Sequence, residues 1–557
     1  MDRLPSDRST SPPLDIPEEL IRELREDLAW RRIESGIYRL HANAALLENC
    51  QPVQRGSARL LGFLAQWVDI GFAGHALVQK ILSRFTEPMR ESLSLLDYVH
   101  VRMAEGLLAM SEEEFATATQ HFHMVLALEK EIHDKLVVSI AYFWMGRCLR
   151  RQARYDDALE YVRRGRDLAL QLKYPKMAAV MQVLEGWIAF QEGKPAEASR
   201  VLSEAEAVLA DTDDFVTRGN ISSAYGRVAR RQGNYQLALT QFTRAIAEYN
   251  KRDPYNRNLA RSFVNIAFVK RLFALQVRDK LDLQSARLRK KRPSPSATTR
   301  PQKQDGRELL GRLRHEAFEH LSKARDIYNR YDDHRGNGNI YITFGYLHLD
   351  DGELDRASQM AATAFRLGDE KKDTLLKCRA RLLQCAVESA KYEEQIEEGA
   401  GASSSQIACE FAREALEFAR HTQNRRLVAK THIALGLALC LDFSEESETA
   451  RQCAEEATKL LKAGSHDYVW RELQTLKRKL SSVGTINASL REWSHGIVNG
   501  KSFQQVSDEF AAIVIPKVWR REGCKVARVA ARLAISPKKV RRILRDQGLL
   551  DPANNDS

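Results

Sequence analysis

Two sets of cationic side chains are spaced to do chemistry, and in both that chemistry is anion recognition. The first lies within residues 519–548. Lys538, Lys539, Arg541, Arg542 and Arg545 fall on the outer face of one short predicted helix, opposite Val540, Ile543 and Leu544. Ser536 is placed to cap that helix, Pro537 suits a first turn that needs no amide donor, and Gly548 ends it. Ahead of it, Val526, Val529, Ala530 and Leu533 put an apolar stripe on another short helix, and Ala534-Ile535 makes the turn. Two helices around a tight turn, the second loaded with cations, form a helix-turn-helix able to enter a major groove. Ser536, Lys538, Lys539 and Arg542 are the candidate groove and phosphate contacts; Arg528, Arg532, Arg541 and Arg545 are the candidate positioning contacts. The plainer alternative is a helical pair that only caps the chain.

The second set lies in a repeat. Gly106, Gly146, Gly186 and Gly226 stand 40 residues apart, each followed twelve residues later by Ala118, Ala158, Ala198 or Ala238. Small residues recur where antiparallel helices approach closely, and Phe115, Tyr155 and Tyr235 are placed to plug the turns between them. Counted from the glycines, Arg147, Arg150 and Arg151 hold the same positions as Arg227, Arg230 and Arg231, with Trp187 and Phe190 in the repeat between. Arginines beside aromatics on a concave face suit an acidic or carboxylate-ended peptide. The competing reading is that they complement the C-terminal dipoles of their helices.

The repeat resembles the tetratricopeptide repeat, with a small residue in its first helix and an alanine in its second, although the usual period is about 34. Gly345 with Gly352 and Ala357 continues the pattern, and Gly436 with Ala450 and Ala457 is a looser copy. The resemblance implies a solenoid whose first helices line a concave surface; it names no ligand. The pattern Ala530-Ala531-x-Leu533-x-Ile535-Ser536 before a basic helix resembles the Fis type of bacterial helix-turn-helix, which also closes many enhancer-binding activators. Pro516 matches a proline that opens the preceding helix in such proteins. The segment from that proline to the Ala-Ala pair is about two residues shorter here, and Cys524-Lys525 departs from the usual glycine and polar residue. Double-stranded DNA is the expected partner, and because one such unit gives a small interface, paired units on a two-fold site are expected, as a homodimer would supply.

At 557 residues the chain needs several domains or an array. Its net charge of +12 is uneven. Residues 501–551 hold 12 Lys/Arg against 5 Asp/Glu, and residues 287–303 hold 7 Lys/Arg and no acid, so the rest is slightly acidic. Concentrated charge of this kind is a nucleic-acid footprint. No apolar run is long enough for a membrane helix, and the N-terminal residues have no signal-peptide core, so a cytoplasmic protein is expected. The eight cysteines, Cys148, Cys378, Cys385 and Cys440 among them, contain no Cys-x-x-Cys and read as reduced, buried hydrophobes. His121 and His123 fall on different helix faces, which speaks against a metal. No phosphate loop, zinc-protease motif or nucleophile elbow is present, so neither an enzyme nor a cofactor is expected.

The expected fold is all-α. Residues 1–16 read as a disordered N-terminus, 17–95 as an irregular helical start, and 96–480 as the solenoid. Two loops interrupt it: a basic, disordered insert at about 280–306 and an acidic, Gly/Ser-rich loop at about 390–405. The insert reads as a phosphate-contacting arm, a nuclear-localisation-like run or, by default, solvated filler. Residues 481–501 connect to the helix-turn-helix at 502–551. There, Ser502-x-x-Gln505 is a capping box, Phe503, Val506, Phe510 and Ile513 form the first buried face, and Pro516 starts the next helix. The function expected is a bacterial DNA-binding transcriptional regulator with a protein- or peptide-sensing solenoid. The rival is an interaction scaffold whose terminal unit binds protein and not DNA.

Overall fold

The structure is a computed structural model that describes residues 15–70, 72, 75–290, 300–331, 333–397, 405–441, 447–461, 467–483 and 500–550. Helices are its only regular elements among those residues. Six open the chain: α1 Glu18–Trp30, α2 Ile33–Ala42, α3 Ala44–Glu48, α4 Ser57–Ile70, α5 His75–Leu82 and α6 Glu87–Glu91. Antiparallel hairpins follow: α7 Leu95–Ser111, α8 Phe115–Ala127, α9 Lys135–Arg151, α10 Tyr155–Gln171, α11 Pro175–Gln191, α12 Pro195–Leu209, α13 Phe215–Arg231 and α14 Tyr235–Arg252. The array continues through α15 Arg257–Lys290, α16 Arg300–Tyr331, α17 His334–Asp350, α18 Leu354–Glu370, α19 Thr374–Glu397, α20 Gln406–Arg420, α21 Arg425–Leu439, α22 Ser447–Leu460 and α23 Tyr468–Val483. A last unit holds α24 Phe503–Arg521, α25 Val526–Leu533 and α26 Pro537–Asp546.

The 40-residue repeat has a steric cause. A Cβ on Gly146 would stand 2.3 Å from Val162, and one on Gly226 would stand 2.9 Å from Phe242. Each glycine therefore seats a large side chain from its partner helix. Ala118, Ala158, Ala198 and Ala238 answer from the second helix and are fully buried. Phe115, Tyr155 and Tyr235 begin the second helices and are buried in the turns, as their spacing predicts. Side-chain caps start many of the first helices: Asp214 accepts from the Thr217 amide (3.0 Å) and Asn424 from Leu427 (3.1 Å).

The array curls until later hairpins touch earlier ones. The Gln423 amide donates to the Ala153 carbonyl (3.1 Å), and the Asp156 amide donates to Gln423 Oε1 (3.1 Å). Arg335 donates to the Arg151 carbonyl (3.2 Å) and Arg471 to the Tyr235 hydroxyl (2.6 Å). His334 lies between Glu113 (2.5 Å) and Asp373 (3.5 Å). Burial alone would lower its pKa; hydrogen bonds to Asp373 and Glu113 outweigh that and carry it up to about 9. These contacts convert a concave groove into a lumen. The opening helices pack on the array's edge, where Arg31 meets Asp214 (2.7 Å), both buried, and Arg25 meets Asp134 (3.0 Å).

Several expectations change. Ile16 is buried and its amide donates to Arg55 (3.0 Å), so residues 15 and 16 belong to the folded part; residues 1–14 lie outside the described residues. The basic insert expected at 280–306 is largely helix, since α15 runs to Lys290 and α16 starts at Arg300; only 291–299 lie outside the described residues. Pro301 does not stop α16 because it falls in the first turn, where no amide donor is required. The loop expected at 390–405 begins later, because α19 extends to Glu397; residues 398–404 lie outside the described residues, as do 484–499 of the connector. Cys148, Cys378 and Cys385 are free and buried, and Cys440 is half-buried. No group of side chains suited to a metal occurs among the described residues, His121 and His123 included.

Candidate functional site

The lumen is a cavity of about 370 Å³ lined by the first helices of successive hairpins. One wall comes from the C-terminal turns of α9, α11 and α13, which carry Arg150, Arg151, Trp187, Phe190, Arg227, Arg230 and Arg231. The facing wall comes from the N-terminal halves of α15, α17, α19 and α21, which add Arg261, Arg335, Arg379, Arg426 and Lys430. Arg147 belongs elsewhere: it lies over Trp144 (4.7 Å) and lines two adjoining cavities of about 430 and 110 Å³. The sequence-predicted arginines thus do end their helices, and all but Arg147 also line this one cavity.

The aromatic residues there are not a bare patch. Trp187 is covered by Arg227 (4.4 Å) and Arg150 (5.7 Å), Phe190 by Arg231 (3.7 Å) and Phe268 by Arg230 (5.2 Å). Each such contact sets a guanidinium over a ring and leaves its charge in place. Neutral acceptors hold the edges. Arg379 donates to Asn339 Oδ1 (2.8 Å), Arg261 to Asn258 Oδ1 (3.0 Å), Arg230 to Asn265 Oδ1 (3.5 Å) and Arg231 to the Phe190 carbonyl.

Carboxylates take only some of the wall. Arg335 pairs with Asp373 (2.5 Å) and Arg426 with Asp467, while Asp333 is occupied by Arg257 (2.9 Å) and the Gly336 amide (2.7 Å). Arg150, Arg151, Arg227, Arg230, Arg231, Arg261 and Arg379 make no ion pair with a carboxylate among the described residues. The buried Nε atoms of Arg150 and Arg227 have no hydrogen-bond partner there either. Burial first, then neighbouring arginine charges, push the pKa of Arg150, Arg227 and Arg231 well down and bring Arg151 to about 10. Guanidinium remains protonated at neutral pH, so the charges of this wall stay in place. Arg261, Arg379, Arg426 and Lys430 escape a local reading because the facing wall is set by curvature, not by the repeat. A polar residue in the first half of each later first helix was the available signal.

The second site is the terminal unit. Val529, Val540 and Leu544 are fully buried, with Ile515, Val526, Ala530 and Ile543 around them. Ala534 turns the chain in a left-handed conformation (φ 48°), and Gly548 ends α26 (φ 66°). Ser536 Oγ accepts from the Lys539 amide (3.2 Å), the cap that its position predicts. Lys538, Arg541, Arg542 and Arg545 are exposed and Lys539 is half-buried; on α25, Arg528 and Arg532 are exposed. Arg532 meets Glu522, and Arg542 approaches Asp508 at 3.5 Å.

Two expectations for this unit fail. Pro516 lies inside α24 and starts no helix; Ile515, Val518 and Trp519 keep packing on α25 and α26, which offsets one lost amide donor. Phe503 and Phe510 are 89% and 49% exposed and do not form the buried face, because the capping box at Ser502 opens α24 well ahead of its packed end. Val506 and Ile513 are half-buried.

No family model and no curated protein matches the chain. Among solved structures it is similar to the apo form of the quorum sensor NprR from B. thuringiensis, at 12% identity over 72% of this chain and 98% of that one (TM-score 0.46). It is also similar to the apo form of RapI, at 11% over 72% and 97% (TM-score 0.39). A third is a human IFIT1 dimer with PPP-AAAA, at 13% over 85% and 97% (TM-score 0.41). All three TM-scores lie below 0.5, so the fold described above rests on this chain's own helices. No helix among the described residues is long and apolar enough to cross a membrane.

Proposed function

We propose that the chain is a bacterial DNA-binding regulator whose helical array senses an anionic ligand in its lumen. The carrying observation is the segregation of two cation sets. One lines an internal cavity, where most of its arginines pair with no carboxylate among the described residues; the other is exposed on a capped helix after a tight turn. Enclosed guanidiniums favour a small or extended anion that sheds its water. Exposed lysines and arginines on α26 favour the DNA backbone, with Ser536, Lys538, Lys539 and Arg542 nearest the base edges and Arg528, Arg532, Arg541 and Arg545 on phosphates. An acidic peptide is one candidate for the lumen, and a homodimer would place two such units on a two-fold site.

The test is duplex binding by the full chain across a salt series. Affinity is expected to fall with a log–log slope of about −0.9 for each phosphate neutralised. Absence of binding at about 50 mM salt, where such contacts are strongest, would reject the regulator. The scaffold alternative has one observation in its favour, the exposed Phe503 and Phe510 on α24. It would then be the reading to pursue.

A further inference from the structure

We propose that the lumen is a polyphosphate site, built for a compact ligand with three or more contiguous phosphoryl groups. This rests on the anion-sensing reading above and names its ligand class.

The argument is charge per volume. Arg150, Arg227, Arg261 and Arg379 converge on about 370 Å³ with no carboxylate partner among the described residues. That size is in the range of small-molecule sites, roughly 300–1,000 Å³. A peptide supplies one charge per acidic residue, and consecutive residues are spaced about 3.3–3.6 Å along an extended chain. Its carboxylates would also have to alternate in direction. A phosphoryl group brings up to about two charges and three acceptor oxygens in one tetrahedron. Linked phosphates therefore neutralise more guanidiniums within the same space, and each oxygen pair matches the guanidinium fork.

The mounting of the arginines points the same way. Asn339, Asn258 and Asn265 hold Arg379, Arg261 and Arg230 through neutral carbonyl oxygens. A wall meant only to stabilise the fold would pair them with acids, as Arg335 is paired with Asp373. Here orientation is fixed and charge is retained. Trp187, Phe190 and Phe268 each already carry an arginine, so the recognition is assigned to the phosphates and not to a stacked base.

Isothermal titration of the full chain with inorganic triphosphate, ATP, orthophosphate and tetraglutamate tests this. Triphosphate and ATP are expected to bind at least about tenfold more tightly than either of the others, a difference of about 1.4 kcal/mol. Tighter triphosphate than ATP would identify an inorganic ligand, and the reverse a nucleotide. Arg150→Gln with Arg227→Gln, and separately Arg379→Gln, are expected to weaken triphosphate at least about tenfold with unchanged circular dichroism. Lys538→Gln with Arg541→Gln is expected to leave it unchanged. Loss of triphosphate binding in that pair alone would place the anion on the terminal unit and overturn the proposal. Preference for tetraglutamate would overturn the polyphosphate while leaving the anion-sensing lumen intact. No binding of any of the four by the folded chain would overturn both.

Discussion

The lumen and α26 carry similar side chains in opposite surroundings. On α26 the cations stand in water, where solvent screens them and each costs the fold little. In the lumen several are packed on aromatic faces or steered by asparagines, and apart from Arg335 and Arg426 its arginines pair with no acid among the described residues. The exposed set can remain unoccupied indefinitely. Under the proposal, the lumen set leaves the empty protein less stable than its packing allows, and a bound anion would recover that loss. On the proposed reading, exposure more than residue type decides which set would sense a ligand and which would hold DNA.

The comparison breaks most readily at ligand binding. A lumen anion at a hundred times its Kd is expected to stabilise the chain by about 2.7 kcal/mol, read as a rise in melting temperature. DNA at the same relative excess is expected to leave the melting of the array unchanged. Equal effects on both units would erase the distinction.

The seam that closes the lumen gives the next effect. His334, with its pKa raised to about 9, contributes fully below its unfolded value of about 6.5 and fades as pH rises through about 9. His334→Gln is therefore expected to cost up to a few kcal/mol near pH 6 and little near pH 10. His100 runs the other way. Burial lowers its pKa to about 4, so stability is full above about pH 6.5 and falls as pH drops toward 4. Denaturant melts across pH 4–10 check both signs.

Neutralising the empty lumen sharpens the contrast. Arg150→Met with Arg227→Met is expected to stabilise the ligand-free chain by about 1–3 kcal/mol, since an unpartnered buried charge is removed. Lost stacking on Trp187 offsets part of the gain. Arg541→Met on the exposed helix is expected to change stability by under about 0.5 kcal/mol. Thermal melts without ligand distinguish these results.

The smallest effect concerns the repeat alone. Ala153 is held at φ 64° where Gly193 and Gly233 occupy the matching turns. Ala153→Gly is expected to stabilise by at most about 1 kcal/mol by releasing left-handed strain. A drop in stability would show that the Ala153 methyl, fully buried, matters more than its backbone.

The hairpin array was legible because its period has a local steric origin. Gly146 and Gly226 each seat a side chain sixteen residues away on the partner helix, Val162 and Phe242. The last helix was legible for a similar reason: Ser536, Pro537 and Gly548 punctuate a helix only ten residues long. What escaped depends on distance. Nothing near Arg379 or Lys430 signals that curvature brings them opposite Arg150 and Arg227. Gln423 meeting Ala153 and His334 meeting Glu113 are likewise invisible to local pattern. Pro516 misled because its boundary signal was overridden by the packing of Ile515 and Trp519.

The separation of the two cation sets is tested most directly by DNA affinity of three full-length forms at about 50 mM salt. These are the natural chain, a lumen variant with Arg150, Arg227 and Arg379 changed to Gln, and a helix variant with Lys538, Arg541 and Arg542 changed to Gln. The account predicts that, without added ligand, the lumen variant binds duplex DNA as the natural chain does, while the helix variant loses at least about tenfold. Loss of DNA binding in the lumen variant with retention in the helix variant would contradict it.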